Sequence, residues 1–274
     1  MKADFHVHSA ASDGALSPAE VVRRAAKSRI GILAMCDHDT VSGIPEAQKE
    51  GERIGVKVIA GIELTADEGE FLNAHILGLG IDLDNGALRG MIARAQKARL
   101  QQKKEMVEAL KKLGYPLSWE EIRREAKGEV TRSHLADAII THSPEYSREQ
   151  VFRELLGSAG KAYVKRTGAP TMREAIAAIK SAGGLPVLAH PLRYAFDVVE
   201  YVSFFHERGG EAVETVYPYP IVDENRQASL LHAVRSLGLL ETAGSDFHKP
   251  ERSVMGAVEL DEDSLRRLLE RLSL

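Results

Sequence analysis

The chain has 274 residues, 44% of them hydrophobic, enough for one large core. A formal net charge of −4 argues against a basic nucleic-acid-binding module, and a single cysteine, Cys36, rules out an internal disulfide. The first residues run straight into Asp4-Phe5-His6 without an apolar leader, and the apolar run Ile32 to Cys36 is far too short to span a bilayer, so a cytoplasmic protein is the expectation.

In chain order, Ala3 to Val7 reads as a strand. Ser17-Pro18-Ala19-Glu20 is a capping box with proline at the first helical position, opening a helix to about Ser28. Ile30 to Cys36 is a buried-strand run, Ile44 to Ile54 is helical, and Val56 to Leu64 and Phe71 to Leu79 follow as strands. Leu88 to Leu113 is a long charged helix stopped by Gly114-Tyr115-Pro116, and Ser118, Ser133 to Ile140 and Ser147 to Leu156 continue the helical pattern. Strand and helix then alternate again: helix Thr171 to Ser181, strands Leu185 to Ala189, Ala212 to Tyr217 and Leu239 to Ala243, and a closing helix Glu262 to Leu272. This alternation implies an α/β layer or barrel with a mostly parallel sheet, interrupted by an all-helical insertion that is either a solvated cap or a lid. The expected division is 1–86, 87–160 and 161–274.

Polar residues with metal-binding atoms stand at or just after most of these strands. They are His6 and His8, Asp13, His38, Glu63, His75, His190, and Asp246 with His248. On a strand, positions i and i+2 point to the same side, so His6-x-His8 and Asp246-x-His248 each present two such groups together. In α/β barrels the carboxyl ends of the strands line the active site. Six imidazoles and three carboxylates exceed what one ion needs and suit two or three divalent ions of the Mn, Fe or Zn kind, with Glu63 bridging. Clustered metals favour phosphoryl displacement, because they screen phosphate charge and acidify water. Taken singly, each residue has a duller explanation: a satisfied core histidine, or, for Asp13, an Asp-Gly turn.

As an ordered set, His6-x-His8, Ser-Asp13-Gly, Asp37-His38-Asp39-Thr, Gly-Ile-Glu63, His75, Ala-His190-Pro and Ser-Asp246-x-His248 resemble the successive motifs of the PHP (polymerase and histidinol phosphatase) family. The resemblance implies a distorted (β/α)7 barrel with an all-helical insertion and a trinuclear metal site. Position by position it implies His6, His8, Glu63 and Asp246 on one metal, Glu63, His75 and His190 on a second, and Asp13, His38 and His248 on a third. Histidine often stands in the family where this chain has Asp13; the aspartate form resembles the subgroup of 3′,5′-nucleotide bisphosphate phosphatases and 5′–3′ exoribonucleases. Thr131-Arg132-Ser133-His134 and Pro191-Leu192-Arg193 resemble segments that hold substrate phosphate, although arginine-proline-histidine is the commoner form of the first.

The activity this implies is metal-hydroxide attack on a phosphate ester, with Glu63, Asp246 and His134 catalytic and Arg132, His134 and Arg193 binding substrate. The expected substrate is a phosphorylated small molecule, a nucleotide 3′,5′-bisphosphate or the 5′ end of a short RNA, with no membrane and no stable protein partner. A histidinol-phosphate-type phosphatase, a non-catalytic metal-stabilised PHP module and an amidohydrolase are the alternatives. Asp37 and Asp39 are expected to orient imidazoles, His142, His206 and His232 to be structural, and Tyr217-Pro218-Tyr219-Pro220 to form a rigid loop.

Overall fold

The computed structural model describes residues 2–126, 130–219, 223–251 and 254–274; Pro220 of the tyrosine-proline loop lies outside them. The chain forms two compact units, Met1–Ala93 with Pro170–Leu274, and Arg94–Ala169. Its elements in order are β1 (Lys2–Val7), α1 (Pro18–Lys27), β2 (Ile30–Met35), α2 (Ile44–Ile54), β3 (Lys57–Glu68), β4 (Phe71–Leu79), α3 (Gly86–Lys112), α4 (Trp119–Glu125), α5 (Arg132–His142), α6 (Arg148–Val151), α7 (Met172–Ser181), β5 (Leu185–Leu188), α8 (Val198–Glu207), β6 (Ala212–Val216), α9 (Glu224–Ser236), β7 (Leu240–Ala243) and α10 (Glu262–Arg271).

In the first unit the seven strands hydrogen-bond in chain order, β1 to β7. Neighbours are parallel except at β4, which runs antiparallel to both β3 and β5. The β3–β4 hairpin turns at Gly69, whose φ of 60° suits glycine. β3 runs on to Glu68, past the apolar stretch that marks it in the sequence, because Thr65 and Ala66 pair with His75 and Ala74 of β4. Beyond the ladder, Val7 and Phe247 form an isolated parallel bridge, with the His8 N–H donating to the Phe247 carbonyl at 2.8 Å. The Ser245 N–H donates to Asp4 Oδ1 at 2.9 Å, so the first and last strands meet at their carboxyl ends.

Alternation along the strands divides the core. Ile32 and Ala34 join Phe5, Leu77, Val187 and Leu268, whereas Leu33 and Met35 pack with Val21, Val22, Ala25 and Ile44 of α1 and α2. In β1 the register shifts between Asp4 and Val7, where Phe5 of the first cluster gives way to Val7 of the second. The irregularity spans His6 and directly precedes His8, where such a break in register re-aims side chains. Ile62, Leu64 and Ile76 pack against Ile176 and Ile179 of α7 and Tyr201 and Phe205 of α8.

The second unit has no strand among its described residues. Met106, Val107 and Leu110 of α3, Leu135 and Ile139 of α5, and Val151 of α6 form its own buried core. No helix among the described residues is long and apolar enough to cross a membrane.

Candidate metal centre

The nine side chains singled out in the sequence meet in one largely buried cluster, and Glu63 is its hub. Glu63 is fully buried on β3. Its Oε1 lies 2.7 Å from His75 Nδ1 and 3.2 Å from His190 Nε2. Its Oε2 lies 3.0 Å from His38 Nδ1, 3.2 Å from His8 Nε2 and 3.4 Å from His6 Nε2. On one flank, Asp246 Oδ1 sits 3.1 Å from His8 Nε2 and 3.5 Å from His6 Nε2. On another, Asp13 Oδ1 sits 3.2 Å from His248 Nε2 and 4.0 Å from His38 Nε2.

These atoms fall into groups whose ligand atoms lie within 4.8 Å of one another: His6, His8, Glu63 and Asp246; His8, Asp13, His38 and His248; and His38, Glu63 and His75. His190 approaches the last group, 3.3 Å from His75 Nδ1. His75 comes from the middle of the antiparallel strand rather than from a strand end, because β4 crosses the cluster from the opposite direction.

The donor set fits divalent metal. Glu63 Oε2 and His38 Nδ1 are 3.0 Å apart, yet both are buried and neither makes a hydrogen bond. Buried polar atoms are normally satisfied, and lone pairs converging in this way match a coordination site. Charge tells the same story. Burial alone would raise Glu63, but His75, His38 and His6 hold it well below the usual carboxylate range. Asp13 is likewise held low against burial by His248 and His38, and Asp246 by His248 and His6. Burial pushes His38 down to about 4 and His190 down to about 3, toward the neutral form. Ionised carboxylates and neutral imidazoles are the forms that bind metal. His6 and His8 differ: against burial, Glu214, Glu63 and Asp246 raise His6 well above its ordinary value, and Asp246 and Glu63 raise His8 to about 10, so in the absence of metal both place positive charge beside those carboxylates.

The surrounding residues hold this arrangement. Arg193 Nη1 and the Tyr217 hydroxyl each donate to Asp246 Oδ2 at 2.9 Å. Asp37 does not reach an imidazole by hydrogen bond; it accepts from Ser9 N–H and from the hydroxyls of Ser9 and Ser12, fixing the loop that carries Asp13. Asp39 Oδ1 accepts from the Thr65 N–H. His190 and Asp246 have φ of 32° and 48°, a left-handed backbone that non-glycine residues hold only under constraint.

A further residue, Glu214 of β6, carried no motif in the sequence. It is fully buried, and its oxygens lie 3.1 and 3.4 Å from His6 Nδ1 while Oε2 accepts the His190 N–H at 2.8 Å. One charge inside the apolar run Ala212-Val213-Glu214-Thr215-Val216 was the available signal.

Arg132 and His134 belong to the second unit. Arg132 Nη1 donates to the Leu156 carbonyl at 3.4 Å, and His134 Nδ1 accepts the Thr131 N–H at 3.0 Å as part of the α5 capping box.

Fold and cluster together define the class, a metal-dependent phosphoesterase, and comparison with known proteins agrees. The PHP domain model matches residues 4–185, and the chain belongs to that family. It is 34% identical to a 5′–3′ exoribonuclease of Haemophilus influenzae, over 91% of this chain and 90% of that one. It is 32% identical to a 3′,5′-nucleoside bisphosphate phosphatase of Chromobacterium violaceum, over 90% and 87%. A solved structure from Bifidobacterium adolescentis, described as a metal-dependent phosphoesterase, superposes with a TM-score of 0.84 at 30% identity, covering 98% of this chain and 96% of that one.

Proposed function

We propose that the protein hydrolyses nucleotide phosphate esters, namely the 3′-phosphate of nucleoside 3′,5′-bisphosphates and 5′-end nucleotides of short RNA. The observation that carries the reading is the hub at Glu63, where one buried carboxylate faces five imidazole nitrogens. The relatives named for these two activities support the choice of substrate.

His6, His8, Glu63 and Asp246 would hold one divalent ion, Glu63, His75 and His190 a second, and Asp13, His38 and His248 a third, with Mn, Fe and Zn all compatible with such mixed ligands. When bound, the metals supply screening of phosphate charge and an acidified water. The protein's own part is positioning. Glu63 and Asp246 are the carboxylates on which the ligand geometry turns. Arg193, its side chain 38% exposed beside Asp246, presents a planar guanidinium to a substrate phosphate. The phosphate-binding role of Arg132 and the acid and binding roles of His134 are proposed from the sequence motif. Because the Thr131 N–H is donated to His134 Nδ1, either role would fall to Nε2.

The test is phosphate release with Mn²⁺. A hydrogen-bonded arginine–phosphate contact contributes about 1.5–3 kcal/mol, or roughly 10- to 100-fold. Adenosine 3′,5′-bisphosphate is therefore expected to turn over at least about tenfold better than adenosine 5′-monophosphate. Equal rates would sink the two-phosphate reading.

A further inference from the structure

We infer that Glu214 is a positioning residue that sets two ligands at once, fixing the ring of His6 and the backbone of His190, and that Gly244 clears the space in which it does so. The inference rests on the metal-site reading above.

His6 Nε2 faces the cluster, 3.1 Å from His8 Nε2 and 3.4 Å from Glu63 Oε2. To offer a lone pair there, the neutral ring must carry its proton on Nδ1, and a proton buried at Nδ1 needs an acceptor. Glu214 Oε1, at 3.1 Å, is that acceptor. The other oxygen accepts the N–H of His190 at 2.8 Å. His190 has φ of 32° and, held in that conformation, delivers Nε2 to within 3.2 Å of Glu63 Oε1. A single carboxylate on β6 thus ties a ligand at the end of β1 to a ligand just after β5. The two belong to different metals in the proposed assignment.

The end of β7 makes room for this. A β-carbon added at Gly244 would lie 2.2 Å from Glu214 Oε1 and 2.3 Å from His6 Cβ. Any larger residue there must push the carboxylate and the imidazole out of place.

Glutamine cannot replace both contacts. Its amide has one oxygen and one NH₂, and the NH₂ would face an N–H of either His6 or His190. The experiment titrates the metal-free full chain with Co²⁺, following the visible absorption bands, in wild type, Glu214→Gln and Gly244→Ala. Removing an orienting partner typically weakens metal binding about 10- to 100-fold. That loss is expected in both variants, with altered cobalt bands. Unchanged affinity and bands in Glu214→Gln, with only a lower melting temperature, would show a merely structural carboxylate and overturn the inference. A second measurement needs no variant: in the zinc-loaded wild type, ¹⁵N spectra should place the His6 proton on Nδ1, and zinc on Nδ1 would overturn it. Failure of the wild type to bind Co²⁺ stoichiometrically would instead overturn the metal-site reading itself.

Discussion

Replacing Glu63 by glutamine keeps the side chain's volume and removes one negative charge from the point where five imidazoles converge. In the metal-free protein that charge has a readable effect on His8. Burial would lower His8, but Asp246 and Glu63 together raise it to about 10. Against an ordinary value near 6.5 this is worth about 5 kcal/mol. A raised folded pKa stabilises fully below the unfolded value and is lost as pH climbs through the folded one, so the contribution is complete at about pH 6 and gone above about pH 10. His8 Nε2 lies 3.2 Å from Glu63 and 3.1 Å from Asp246, so the two share it about equally. Because both carboxylates also offset burial, Glu63→Gln should cost the metal-free protein at least about 2–3 kcal/mol at pH 6, and less at about pH 9.5. Urea unfolding at the two pH values measures this. Phosphate release should fall by more than about 100-fold, beyond the loss typical of an outer orienting group, because glutamine lacks the charge that two of the proposed sites share. A variant as stable as wild type at pH 6, or active within tenfold of it, would refute the reasoning.

Acid should destabilise the metal-free protein through two buried histidines. His38 and His190 are depressed to about 4 and about 3, so below about pH 6.5 the unfolded chain binds two protons that the folded chain does not. Those two alone would remove roughly 2–3 kcal/mol per pH unit between about pH 6 and pH 4, offset in part by Asp4, Asp37 and Glu214, whose burial-raised carboxyls take up protons in the fold; a net fall is expected, and a flat urea midpoint over that range would contradict it. Phe247→Ala removes a fully buried ring packed with Val7, Val21 and Val22, and should lower stability by about 3–5 kcal/mol. Because Phe247 sits between two proposed ligands, the same variant should also weaken Mn²⁺ binding, measured by equilibrium dialysis, and a stability loss with unaltered binding would separate the seam from the cluster.

Local signals were strong wherever a short stretch of chain carried its own cause. The Ser17 box forms as read: Ser17 Oγ accepts the Glu20 N–H at 3.3 Å, and the Glu20 carboxylate accepts the Ser17 N–H at 2.8 Å. The bounds of α2 and β4 coincide with the apolar pattern. Strand direction was harder, because an apolar run has no polarity. The brief connection from Leu64 to Phe71 was nonetheless a clue, since a parallel crossover needs a dozen residues or more. Candidate ligands stood out because they follow strands at short range. Their supports did not: Glu214 acts on His6 and His190, 208 and 24 residues away, and no spacing rule predicts such contacts. Arg193 shows the converse problem. Its residue type suggested phosphate, and the fold gives one of its nitrogens to Asp246.

The closing turn explains why the last pair of polar residues has such reach. Asp246 has φ of 48°, so Asp246 and His248 do not project as in a regular strand. Asp246 turns toward His8, at 3.1 Å, and His248 toward Asp13, at 3.2 Å. Between them, Phe247 is fully buried and bridges Val7, and its carbonyl accepts the His8 N–H. The contact that joins the last strand to the first therefore also sets the backbone of His8, whose ring belongs to both the Asp246 group and the Asp13 group. The Val7–Phe247 contact and assembly of the cluster are then one structural event. Ligands bound at Asp246 and His248 would stabilise the β1–β7 seam, and loosening that seam would disturb the cluster on both sides of His8 at once.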